Sequence, residues 1–219
     1  MINGEPVPSV GSTISTPSQK IKVVDESGCE NELTMEGVGS AFGFEYCCYI
    51  QFLHESLLRN MQFWSLDNAA SIPIASENGY DKKIDDGFII NKVSLRYIGE
   101  IDGIDTGYGL FAECAIEVGE MIGEYTGVVL ENSSTSSSSF SLNYPSADRE
   151  LVVNAREIGN IIRFVNHSPN PNTKFKPFLH DGLVHVICVS NYRKLLRFTN
   201  ANVSNRCALV VFCAVIRSQ

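Results

Sequence analysis

The sequence predicts a mainly β fold with few helices, preceded by a partly helical N-terminal extension. Three observations lead there. Val93, Leu95 and Tyr97 alternate with Ser94 and Arg96, the period-two pattern of a strand with one buried face. The apolar runs that follow, residues 121–130, 151–153 and 183–189, are short and bounded by turn-forming or polar residues, which suits strands better than helices. Helical spacing of any length occurs over residues 44–61, where Ile50, Leu53, Leu57, Leu58 and Met61 fall on one stripe.

Taken in order, residues 1 to 35 are rich in Ser, Thr, Pro and Gly and read as a mobile arm. The stripe over 44–61 reads as a helix turned toward the core, a prefix to the main domain. Pro73, Gly79 and paired charges make 65–86 a connector. The strand at 93–97 is followed by a turn-rich stretch with Gly103, Gly107 and Gly109. A second strand over 121–130 is interrupted by Gly123 and Gly127. The serine run 133–139 has nothing to bury and reads as a loop. Strands over 151–153 and 183–189 flank a turn or two of helix within 156–164. The division this suggests is an arm and helical extension over 1–92, a principal domain over 93–192 and a divergent tail over 193–219.

Of 219 residues, 44% are hydrophobic and 19% charged, so a packed core is expected. The net charge of −8 argues against a nucleic-acid partner, which calls for a basic face. It suits a basic partner such as a lysine-rich protein tail. No two of the seven cysteines form a C-x-x-C pair, so no structural zinc is expected, and their irregular spacing fits a reduced intracellular chain. The first residues lack a basic and then apolar run, so no signal peptide is expected. The apolar run 207–216 is shorter than the roughly 20 residues a membrane span needs.

Three ordered segments carry chemistry. The first is Gly107-Tyr108-Gly109-Leu110-Phe111-Ala112. The second is Ile122-Gly123-Glu124-Tyr125-Thr126-Gly127. The third runs from Asn154-Ala155-Arg156 through Gly159-Asn160 into Arg163-Phe164-Val165-Asn166-His167-Ser168 and on to Pro171-Asn172. Gly107-x-Gly109 alone fits any tight turn, and Ala112 stands where a dinucleotide loop has its third glycine. His167-Ser168 is a poor hydrolase pair, since adjacent residues rarely face each other and no G-x-S-x-G elbow is present. Together and in order, the segments resemble the SET-domain family of protein-lysine methyltransferases, over residues 93–192.

The resemblance implies a SET-type β fold, small twisted sheets around a threaded loop. It implies S-adenosylmethionine as cofactor and a basic protein or peptide, such as a histone tail, as substrate. The backbone of Gly107, Tyr108 and Gly109 would line the methionine part, as glycines allow close approach. Asn166 and His167 would hold the ammonium and adenine. Arg163 would order this loop or meet the cofactor carboxylate. Tyr125 would line the lysine channel and orient the amine. An amine of ordinary pKa about 10.4 must lose its proton to react, which a dry channel favours.

Four departures qualify the resemblance. Asn154 stands where an aspartate is common. Phe140 falls near a cofactor-contacting tyrosine, with Tyr144 as a possible substitute. Pro169 replaces a zinc-binding cysteine, so again no zinc is expected. Past Ser190-Asn191-Tyr192-Arg193, the family's G-E-E-L-x-x-D-Y-G segment with its principal catalytic tyrosine is absent, and no tyrosine follows Tyr192. Either the reading frame or gene boundary is lost near Lys194, or the chain has a different ending of its own; the abruptness of the change favours the first. Without the terminal strand, exposed sheet edges and low stability are expected. The alternative function is an inactive module that binds peptide or cofactor without turnover.

Overall fold

The computed structural model describes residues 6–8, 19–101, 104–132, 140–146 and 150–191, and the backbone of 207, 208, 210 and 211. The serine run 133–139, Gly103, most of the first eighteen residues and most of the tail lie outside the described residues.

The first regular unit is a hairpin of β1 (Lys20–Val24) and β2 (Glu30–Thr34). Its turn is built on the Asp25 carboxylate, which accepts from the backbone N–H of Ser27 at 2.9 Å and of Cys29 at 3.0 Å. Residues 20–34 therefore belong to a sheet, contrary to the expected mobile arm. Ile21 and Val23 are buried between the lysines, a two-residue alternation too short to stand out beside the Ser/Pro-rich stretch before it.

Helix α1 (Met35–Phe42) starts on Thr34, whose hydroxyl accepts from Gly37 N at 3.1 Å, and stops at Gly43 in the left-handed region. Helix α2 (Glu55–Asp67) is capped by His54, whose ring nitrogen accepts from Leu57 N at 3.1 Å. The helix expected over 44–61 thus begins only at Glu55. Residues before it are extended because neighbouring strands take their amides. Glu45 N and Cys47 N donate to Glu157 O and Gly159 O, and Gln51 N and Leu53 N to Gly127 O and Val129 O. Leu57 and Met61 are buried as the stripe required.

The expected connector contains a short helix, α3 (Asp81–Asp85), and is sewn to the rest at both ends. Leu179 N donates to Pro73 O at 2.8 Å, Ala75 N to Leu179 O at 2.9 Å, and Ile90 N to Ile122 O at 2.8 Å. The strands that follow are β3 (Val93–Tyr97), β4 (Tyr108–Ala112), β5 (Met121–Glu124), β6 (Val128–Glu131), β7 (Ser141–Tyr144), β8 (Leu151–Asn154), β9 (Asn166–His167), β10 (Thr173–His180), β11 (Leu183–Ser190), β12 (Cys207–Ala208) and β13 (Val210–Val211). The single strand expected over 121–130 is two, broken at Gly127, and the helical turn within 156–164 is a 3-10 segment, Ile161–Phe164.

Three five-stranded sheets result. One runs β12-β4-β3-β1-β2, the second β5-β11-β10-β13-β9, and the third Val7–Pro8, Gln51–Phe52, β6, β8, β7. The mainly β fold with few helices is as the sequence predicted. Strand β11 is buried along its whole length. Val184, Val186 and Cys188 enter the main core, while Ile187 and Val189 join Ala75, Ile84, Met121 and Phe178 in a second, smaller cluster. A strand covered on both faces reads as the near-continuous apolar run seen at 183–189.

The expected loss of a terminal strand is corrected by the tail. Val210 and Val211 pair in parallel with Asn166 and His167, and Cys207 and Ala208 pair with Ala112 and Phe111. Unlike the expected family segment in sequence, 207–211 still takes a place beside β9 and β4. Among the described residues, no helix is long and apolar enough to cross a membrane.

Candidate functional site

The site is built where the turn before β4 meets the loop that ends in β9. Gly107 sits at φ 63°, a left-handed conformation that glycine adopts without cost, and its carbonyl accepts from Ile98 N at 2.7 Å. A Cβ on Gly109 would lie 2.5 Å from Ile98 Cδ1 and 3.0 Å from Asn166 Nδ2. Asn166 Nδ2 donates to Tyr108 O across a long 3.4 Å bond. The first and third sequence segments therefore meet side by side. The Tyr108 ring packs edge-on against Phe42 and Tyr97, with centroids 4.7 and 5.4 Å away, and Phe42 continues to Phe164 at 5.1 Å. His167 is exposed, and its contribution to the site is a backbone paired to β13.

Asn160 fixes the loop's start. Its Oδ1 accepts from Ile162 N at 3.0 Å, capping the 3-10 turn, and its Nδ2 donates to Glu124 O at 2.8 Å. The turn delivers Arg163 into a box of rings. The guanidinium carbon lies 3.9 Å from the Phe140 centroid, 4.3 Å from Phe44 and 5.6 Å from Phe164. Nη1 donates to Arg156 O at 3.1 Å, while Nε is buried without a hydrogen-bond partner. Burial pulls the Arg163 pKa down to about 10, with Tyr125 pulling slightly the other way. Cation–π attraction offsets part of this desolvation.

Tyr125 is buried next to that box. Its hydroxyl donates to Phe140 O at 2.8 Å and its ring meets Phe175 edge-on at 5.3 Å. Phe140 thus touches both Arg163, through its ring, and Tyr125, through its carbonyl. Tyr144 does not reach this place. It is buried in the core against Phe52, and its hydroxyl donates to Val184 O at 2.7 Å. Burial, then the charge of Glu124, pushes its phenol far above the ordinary range.

The structure thus brings Gly107, Tyr108 and Gly109 to Asn166, and Arg163 to Tyr125. The two groups are joined by the ring series Tyr108–Phe42–Phe164. Sequence reasoning missed Phe44 and the Phe140 ring as walls of the Arg163 box. It also missed the buried pair of Glu124 and His185, whose Oε1 and Nδ1 are 2.7 Å apart. The signal for the pair was present: a histidine inside an otherwise apolar strand needs a polar partner.

Residues 107–207 match the family model described as the SET domain. Over these residues the chain is similar to a SET domain. Relatives of the domain include the Arabidopsis thaliana histone-lysine N-methyltransferase ASHH3, 33% identical over 98 residues covering 40% of this chain and 27% of that protein. The Caenorhabditis elegans histone-lysine N-methyltransferase mes-4 is 30% identical over 112 residues, covering 46% of this chain and 12% of the relative. The chain spans about a quarter of the length of the first of these. The solved SET domain of ATXR5, in complex with a di-methylated histone H3, superposes with a TM-score of 0.53 at 15% identity, covering 81% of this chain and 84% of that one. At that identity the likeness speaks for the fold. The SET domain match extends through Cys207, so it takes in the β12 position as well as the three sequence segments.

Proposed function

We propose that this SET domain binds S-adenosylmethionine and transfers its methyl group to a lysine of a basic protein tail, such as a histone. The observation that carries the reading is the meeting of Gly109 and Asn166, linked through the rings of Tyr108, Phe42 and Phe164 to a half-buried, part-paired Arg163. A cofactor with a carboxylate, an ammonium and a flat base needs backbone that can be approached closely, an amide side chain and a fixed positive charge. Gly109, without a Cβ, lets Ile98 and the Asn166 amide close onto its backbone, and the unpartnered Arg163 Nε suits an anionic group. The residues present therefore fit the cofactor. Gly107, Tyr108, Gly109, Asn166 and His167 would hold it, with Arg163 facing its carboxylate. When bound, it supplies an activated methyl on a sulfonium sulfur.

The chain's own part is to align the amine and to favour its neutral form. The Tyr125 hydroxyl donates a hydrogen bond to Phe140 O, which leaves its oxygen oriented to accept from an incoming amine N–H. The rings of Phe140 and Phe175 keep water away, and the neighbouring Arg163 charge disfavours an ammonium. Both effects favour the neutral, nucleophilic lysine. The formal charge of −8 favours encounter with a basic tail.

A second reading, cofactor binding without turnover, is favoured by residues 193–206, which do not resemble the family's tyrosine-bearing segment where it is expected. Two measurements separate the readings: calorimetric binding of S-adenosylmethionine, and transfer of its radiolabelled methyl to purified histones. Transfer is expected to fall about ten- to hundred-fold in Tyr125→Phe, the scale for losing one aligned hydrogen bond in a reacting geometry. Binding without transfer supports the second reading, and absence of binding by folded protein sinks both. Gly109→Ala tests the cradle. Its Cβ displaces the tip of Ile98 and the Asn166 amide, so cofactor affinity is expected to drop at least about ten-fold with little change in melting temperature. Unchanged affinity would remove Gly109 from the site.

A further inference from the structure

Three side chains that take no part in the candidate cofactor site converge at the tip of the β10–β11 hairpin. The hairpin turns on Asp181 and Gly182, at φ 46° and 75°, the two left-handed residues that a tight two-residue turn calls for. That turn carries the Asp181 carboxylate back beside the ring of His180, the last residue of β10, with Oδ2 3.8 Å from Nε2. The third side chain comes from α3. Its Ile84 is buried with Phe178 of β10, and the segment ahead of it is tied to the hairpin by Leu179 N on Pro73 O and Ala75 N on Leu179 O. Asp85, at the end of α3, is thereby set against His180, with Oδ1 2.6 Å from Nε2. One donor atom from each of the three side chains lies within 4.8 Å of the others.

We propose that Asp85, His180 and Asp181 form a binding site for a divalent transition-metal ion of the zinc class, which bridges α3 to the β10–β11 hairpin.

The donors select the ion. One imidazole and two carboxylates suit zinc, whereas calcium and magnesium favour oxygen alone. Zinc holds nitrogen and oxygen at about 2.0–2.2 Å, so two ligand atoms of a tetrahedral shell stand about 3.4 Å apart. The separations here, 2.6 and 3.8 Å, fall on either side of that value. An ion in place of the hydrogen bond spreads the first pair and draws in the second. The movement falls on the carboxylates, whose side chains are 53% and 78% exposed. His180 is held more firmly. Its side chain is 12% exposed, and its ring packs edge-on against His185, which Glu124 fixes in turn. Among the described residues no lysine or arginine pairs with Asp85 or Asp181, so two carboxylates face one imidazole. His180 and Asp181 also line an open cleft of about 340 Å³ with Ser76 and Asp81. Liquid water takes about 30 Å³ per molecule, so there is room for a water to complete a four-coordinate shell. The lack of a C-x-x-C pair bears on thiolate sites and not on this donor set.

The test is calorimetric titration of zinc chloride into the full chain, freed of metal by a chelator that is then removed. One equivalent is expected to bind with a dissociation constant of about 100 µM or tighter. His180→Gln and Asp181→Asn are each expected to weaken binding at least about ten-fold. Asp181→Asn is the sharper variant, because Asn-Gly suits the same turn, and its melting temperature without metal is expected to match that of the unsubstituted chain. Cobalt(II) distinguishes this site from the exposed thiols of Cys29 and Cys114. Visible d–d bands without a thiolate-to-cobalt charge-transfer band are expected. A constant weaker than about 100 µM, binding unchanged in either variant, or a thiolate charge-transfer band overturns the proposal. Calcium bound as tightly as zinc overturns the assigned class of ion.

Discussion

Replacing His185 by leucine is expected to lower the unfolding free energy by about 3–5 kcal/mol, measured by urea denaturation near neutral pH. The reason is the group left behind. Glu124 is 4% exposed, and its side chain meets the His185 imidazole at 2.7 Å. A carboxylate in that position has been taken from water, and leucine returns neither charge nor hydrogen bond. The cost is therefore that of an uncompensated buried anion, larger than the worth of the pair itself. This makes the double variant informative. Glu124→Leu with His185→Leu removes both polar groups and is expected to recover most of the loss. A single-variant loss below about 1 kcal/mol, or a double variant as unstable as the sum of the singles, would contradict a charge-balanced pair.

Gly127→Ala is expected to cost about 3 kcal/mol, the upper end of ordinary overpacking. Its Cβ would stand 2.5 Å from Asn154 O, 2.8 Å from Asn154 C and 3.0 Å from Ala155 N. All three atoms are backbone, so no rotamer change relieves the contact. Asn154 also ends β8, which pairs with β6 from Val128 to Glu131, and Gly127 O accepts from Gln51 N. A shift at this point therefore strains two strand pairings at once. Gly109, by contrast, first meets the movable tip of Ile98, so its substitution should act on binding more than on folding. If urea denaturation gave Gly127→Ala less than about 1 kcal/mol of loss, the close approach of the two strands would be softer than described.

The parts of the fold that were legible in the sequence are those where one interaction dominates. Val93 and Leu95 of β3 enter the core as the alternation required, although Ser94 is buried too and Tyr97 exposed, and 183–189 is apolar but for His185 because β11 is covered on both faces. Misreadings fall where tertiary pairing overrides local pattern. Ile50 and Leu53 keep helical spacing to Leu57, yet Gln51 and Leu53 are drawn into pairing with Gly127 and Val129. Residues 20–34 look like an arm until β1 finds β3, to which Lys22, Val23 and Val24 pair in parallel. The candidate site was legible as three motifs, but their juxtaposition through Asn166 and Tyr108 spans 58 residues, and local pattern carries no trace of it. The Phe44 wall of the Arg163 box lies outside every motif, in a segment with no chemistry of its own.

The placing of Val210 and Val211 between β10 and β9 has a consequence for how the protein comes to be. A ribosome makes the glycine turn, the Asn166 loop and both long strands of that sheet before it makes residues 207–211. Until those residues emerge, β9 lacks its β13 neighbour and β4 lacks β12. Such non-local closures are slow, because the loop entropy is spent before the contacts form. Completion of the two sheets beside the site is thus a late event in biogenesis, and a nascent chain halted before Cys207 holds its motifs without their final edge.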